Sequence, residues 1–231
     1  MTLSSVNESG EISGRSNKEK SQMKKEKMTS EAFVERVNGL FDKIRKENPD
    51  YKNIRLRKGK IKELIEELLP LKDFIKEVEK EKGPISITYH GKDSVLDAIL
   101  EIENDKKKLF GVQVTIATED KEYLRRQALV EGTPVFIGEI HRDKKTGEII
   151  STPRVRCGDE HIEENAQIIE LAINRKKQFR YGTDCILLVN VEEYGLILDD
   201  EWEEVKLLIN KNDVPFESVW LRRRNGKCEK I

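Results

Sequence analysis

The chain has 231 residues and a formal net charge of -1, enough length for one ordinary domain with an extension. Charged residues make up 38% and apolar ones 36%, so part of the chain must lie on well-solvated helices or outside any core. No apolar run nears the ~20 residues of a membrane span, the first residues lack the apolar stretch of a secretory signal, and Cys157, Cys185 and Cys228 have no paired spacing. The expectation is a cytoplasmic protein with free thiols and no membrane contact. Charge is unevenly spread: residues 1–60 carry +6 and the remainder -7. A basic arm on an acidic body fits contact with a polyanion or with the body's own acidic surface.

In chain order, residues 1–28 are polar and low in complexity and read as a disordered basic tail. Thr29 or Ser30 can cap a helix over about 31–47, with Phe33, Val37, Leu40, Phe41 and Ile44 as a narrow apolar stripe. That stripe is a candidate docking face for a protein partner. Asn48-Pro49-Asp50 stops the helix, and a basic linker with Arg55, Arg57, Lys58 and Lys60 follows. Ile61, Leu64, Ile65, Leu68, Leu71, Phe74, Ile75 and Val78 mark a second helix over about 60–81, which Pro70 should kink or divide. Ile85–Tyr89 reads as a short strand.

Residues 95–118 hold two runs of alternating apolar and polar residues around Asn104-Asp105-Lys106-Lys107-Lys108, the pattern of a β-hairpin. Ala98, Leu100 and Ile102 share one face of the first strand, and Asp97, Ile99, Glu101 and Glu103 the other. In the second strand Val112, Val114 and Ile116 face the core, opposite Gln113, Thr115 and Ala117. A turn centred near Lys106 sets Asp97 beside Gln113 and Thr115.

Beyond the hairpin, a helix is expected over 120–131, a strand over Val135–Ile140, a turn at His141–Gly147 and a returning strand to Ser151. Asp159 can cap a long helix over 160–181, closed by Gly182. Cys185–Val191 is a continuous apolar run, as in a strand covered on both faces. A last helix starts at Asp199-Asp200, a final strand covers Phe216–Leu221, and Arg222-Arg223-Arg224 opens a polar tail. Helices alternating with apolar strands argue for a three-layer α/β core. The chain divides into a tail over 1–28, a helix and linker over 29–60, an α/β domain over 61–222 and a short tail over 223–231.

An acidic residue on one strand followed by (Glu/Gln)-x-Lys on the next is the signature of the PD-(D/E)XK nucleases. Asp97 and then Gln113-Val114-Thr115 resemble it, with Thr115 where the family has lysine. The resemblance covers roughly 61–222 and implies a restriction-endonuclease-like core with a central mixed sheet and an N-terminal helical extension. It further implies a Mg²⁺ site at Asp97, Gln113 and the Val114 carbonyl, with Glu101 able to assist. The missing charge must come from elsewhere, and Lys176, Lys177 and Lys92 are the candidates. Gly111–Arg126, with Ala172-Ile173, Tyr181-Gly182 and Leu187–Val189, also resembles a group of uncharacterised bacterial proteins.

Two functions stay open. One is a metal-dependent nuclease with a degenerate site (catalytic candidates Asp97, Gln113, Thr115, Glu101 and Lys177). The other is a non-catalytic accessory protein that binds nucleic acid or a partner chain on the same fold. DNA or RNA would meet the basic clusters at 55–60, 106–108 and 222–224. His141, Cys157 and His161 lack the paired spacing of a zinc site, so zinc is not expected.

Overall fold

The computed structural model describes residues 25–91, 94–103, 108–136, 138–155, 159–178, 181, 184–192, 197–210 and 214–231. Residues 1–24 of the expected tail, and Lys92, Lys106, Lys107, Cys157 and Gly182, lie outside them.

A seven-stranded mixed sheet runs through the molecule in the order β1 (Lys27–Thr29), β2 (Ile85–Tyr89), β3 (Ala98–Ile102), β4 (Lys108–Ala117), β7 (Cys185–Val191), β8 (Ser218–Arg222), β9 (Cys228–Lys230). The pairs β4–β7 and β7–β8 are parallel and the other four antiparallel. Every residue of β7 is buried, Asn190 included, as its largely apolar run requires of a strand covered on both faces.

One face carries Ile87, Leu100, Val112 and Leu188 and packs beneath α1 (Ser30–Glu47) and a long helical stretch. That stretch is α3 (Lys60–Glu63), a π-helical turn (Leu64–Leu68) and α4 (Leu69–Lys82); a short α2 (Lys52–Leu56) precedes it. The other face carries Leu187, Val189 and Leu221 and packs against α6 (Glu160–Lys177) and α7 (Asp199–Leu208). The result is a three-layer α/β fold. Between β4 and α6 the chain adds α5 (Glu122–Val130) and a separate hairpin, β5 (Ile140–Arg142) and β6 (Ile149–Ser151).

Pro70 does not break its helix. Its ring would clash with the carbonyl four residues back, and the wider π turn just before it takes up the misfit, with Leu69 N–H donating to Leu64 O. Thr29 caps α1 by accepting from Ala32 N–H. Asp159 precedes α6 but makes no side-chain cap.

Several expectations are corrected. The α1 stripe is not offered to another chain: Phe33 and Val37 are fully buried and Ile44 nearly so, all in the protein's own core. Met28 brings β1 into the sheet beside it. The C-terminal segment is no tail, because β9 pairs with β8 and buries Cys228. Among the described residues of 135–140, strand structure is confined to Ile140. The Arg125 guanidinium donates to the carbonyls of Phe136 and Gly138, which a strand partner would otherwise use. Cys185 and Cys228 are free thiols, both buried. Among the described residues no helix is long and apolar enough to cross a membrane.

Candidate active site

The site follows from unequal strand lengths. Register between β3 and β4 runs from Ile102↔Lys108 to Ala98↔Val112, whereas β4 stays paired with β7 as far as Ala117. Past Val112, β4 therefore presents backbone groups toward a side that β3 does not reach. Val114 N–H and C=O both point there, since Val112 O, two residues earlier, accepts from Asp97 N–H at 2.9 Å.

Asp97, the residue before β3, fills that opening. Its Oδ2 accepts from Val114 N–H at 2.7 Å and from the Gln113 side-chain amide at 2.5 Å. The same Gln113 nitrogen donates to Val114 O at 3.0 Å. Asp97 and Gln113 are each only 7% exposed, so this is a built, desolvated arrangement rather than a wetted hairpin face. Gly111 makes room for it: a Cβ there would come within 2.7 Å of Leu96 Cδ1, the side chain next to Asp97.

Burial raises the Asp97 carboxyl from 3.8 to about 6, and the charge of Glu67 adds to the rise. The Val114 N–H, the ammonium of Lys176 and the Gln113 amide pull the other way. The Lys176 pKa is in turn lowered by burial, against the attraction of Asp97 and Glu67. Asp97 thus sits between two layers, with a carboxylate from the π turn on one side and an amine from α6 on the other. Glu67 is held by Tyr89, whose hydroxyl lies 2.7 Å from Glu67 Oε2 and 3.0 Å from Glu63 Oε1. Burial and those two carboxylates raise the Tyr89 pKa.

Hydrogen bonds bring together Asp97, Gln113 and Val114, and the charge of Lys176 acts on the same carboxylate. Thr115 supplies none of the hydrogen bonds to Asp97. Glu101 is four residues along β3, about 13 Å, and is engaged with Lys27 Nζ at 2.6 Å, so it does not assist Asp97. Of the two helix lysines, Lys176 is the one whose charge helps to lower the Asp97 pKa. At about 100° per residue, Lys176 lies close to the centre of the buried stripe of Ile162, Asn165, Ala166, Ile169, Ala172 and Ile173, while Lys177 falls on its flank. Helix phase would have chosen between them. Glu67 gave no comparable signal, because its partner Tyr89 lies on another element.

Other charged candidates are spent internally. Arg222 binds Asp73 and Asn190, and Arg223 binds Asp199 and lies over the Trp202 ring. Arg57 pairs with Glu192 and with Glu66. His161 Nε2 lies 3.1 Å from Glu201.

Among the described residues no group of three or more His, Cys, Asp or Glu is gathered to hold a metal. Mg²⁺ does not need one, since it commonly takes one or two carboxylates and completes its shell with water and substrate phosphate. Asp97 and the Val114 carbonyl are hard oxygen donors and suit it, whereas the Gln113 amide presents its nitrogen to both and offers its carbonyl only once the amide turns over. The Gln113 nitrogen bridging those two oxygens stands where positive charge is favoured.

Compared with known proteins, the chain matches no family model, no curated protein and no solved structure. What the fold defines is the class: an α/β protein with a central mixed sheet.

The Asp97 proton gives a pH signature. The folded protein holds it more tightly than the unfolded chain, so the native state binds more protons between 3.8 and about 6. Stability from this group is greatest at the acid end and falls as pH rises through about 6. Urea midpoints measured across this interval should lose that slope in Asp97→Asn.

Proposed function

We propose that the protein is a metal-dependent nuclease with a restriction-endonuclease-like core. The observation that carries this reading is the convergence of Asp97, Gln113 and Val114 at the open edge of β4, with Lys176 acting on the same carboxylate. Lys176 supplies from α6 the positive charge that Thr115 lacks.

In this reading Asp97 and the Val114 carbonyl would hold Mg²⁺, joined by the Gln113 carbonyl once its amide turns over, and the ion would polarise the phosphodiester and lower the pKa of water. The chain's own groups do the rest. Val114 N–H pins Asp97, so the carboxylate needs no reorganisation when substrate arrives. The Lys176 amine offsets the charge that grows on the phosphate and orients the attacking water. Asp97 must be ionised for this, so cleavage should rise with pH through about 6, where stability falls.

The test is cleavage of a panel of DNA and RNA substrates in Mg²⁺ or Mn²⁺ by wild type and Asp97→Ala. Cleavage confined to the wild type supports the reading; no cleavage by wild type, or equal cleavage by both, overturns it. The non-catalytic alternative draws on the Gln113 amide, which satisfies Asp97 and Val114 with no ion present. Gln113→Glu separates the two, because a second carboxylate should tighten Mn²⁺ binding by calorimetry only if these oxygens form an ion site.

A further inference from the structure

We propose that the β5–β6 hairpin, with Lys121 and Tyr123 at the start of α5, is a binding arm for the backbone of a nucleic-acid strand. The groove between them has a volume of about 620 Å³. Lys121, Arg142, Lys144 and Lys145 line it against a single carboxylate, Asp143. This local excess of positive charge stands on a body that is net acidic from residue 61 onward.

The cations are available. Lys121, Lys144 and Lys145 are exposed and make no ion pair among the described residues. Arg142 is held by two neutral oxygens, Gly147 O at 2.6 Å and Gln127 Oε1 at 2.7 Å, which fix its direction and leave its charge uncompensated. Asp143 is committed to its own turn, accepting from Lys145 N–H and Thr146 N–H at 2.7 Å each. It therefore shapes the tip on which the two lysines stand. Tyr123 is 62% exposed at the groove wall, an aromatic face on which an unpaired base can stack.

Lys121 and His141 also line a second cleft, of about 760 Å³, between the inserted hairpin and α6. That cleft carries Glu119, Asp120, Glu139 and Glu164 against Lys121, Arg125 and Arg175, so the cationic surface for a phosphate backbone is confined to the hairpin groove. Binding here does not require the nuclease reading; only the fate of the bound strand rests on it.

The experiment measures binding of the full chain to a fluorescein-labelled single-stranded oligonucleotide and to its duplex over a salt series. With EDTA present to prevent turnover, Lys144→Glu/Lys145→Glu, Lys144→Gln/Lys145→Gln and Tyr123→Ala are compared with wild type. Each lysine lost should lower the slope of log affinity against log salt by about one. Tyr123→Ala should weaken the single strand by roughly tenfold and the duplex less. Circular dichroism and thermal melting should be unchanged, since the substituted hairpin side chains and Tyr123 are exposed. Failure of wild type to bind, an unchanged slope in both double variants, or equal displacement by polyglutamate would overturn the proposal. Hairpin-dependent binding without cleavage would overturn the nuclease reading alone. Cleavage unaffected by the hairpin variants would do the reverse.

Discussion

In the proposed nuclease, replacing Lys176 with methionine is expected to slow cleavage by about 10²–10³-fold, the usual cost of losing one group that stabilises transition-state charge. Lys177→Met should leave the rate close to wild type. The pair of variants isolates position, since both remove one positive charge from the same turn of α6. A second readout separates loss of charge from loss of shape. Lys176 lowers the Asp97 pKa, so its removal should move the acid limb of the pH–rate profile to higher pH. A slow variant with an unmoved acid limb would mean that Lys176 supports the helix and not the carboxylate. Equal rates in both variants would return the missing charge to some other residue.

Phe33→Ala is expected to destabilise the protein by about 3–5 kcal/mol, as for other large apolar side chains removed from a closed core. Phe33 is fully buried and packs in the same cluster as Leu71, Phe74 and Ile87. Urea unfolding monitored through Trp202 and Trp220 gives the measurement. A loss under about 1 kcal/mol would be typical of a surface position and would return α1 to the role of a detachable extension.

Much of the fold was legible because single residues carried unambiguous periodicities. Six of the seven residues from Cys185 to Val191 are apolar, the pattern of a strand covered on both faces, and the structure has one. The alternation around residue 105 was enough to bring Asp97 to Gln113, since a hairpin with one buried face has one register. Elements that depend on a distant partner were not legible. β1 has a single buried apolar residue, Met28, and exists because β2 offers it an edge 59 residues later. Arg222 and Arg223 read as a basic cluster because composition does not reveal Asp73 or Asp199 across the fold. At the site, Lys176 could be reached through helix phase. Glu67 could not, because it approaches Asp97 from the opposite layer, and only the packing of the π turn brings it there.

The π turn also ties the length of this helical stretch to Pro70. A π turn amounts to one residue more than the regular helix needs. Deleting one of residues 64–68 would restore regular winding and leave the turns on either side in nearly the same phase, so Ile61 would keep its place in the core. The Pro70 ring would then meet the carbonyl four residues back, at a cost of about 3 kcal/mol. A single-codon loss here is therefore tolerable only together with replacement of Pro70.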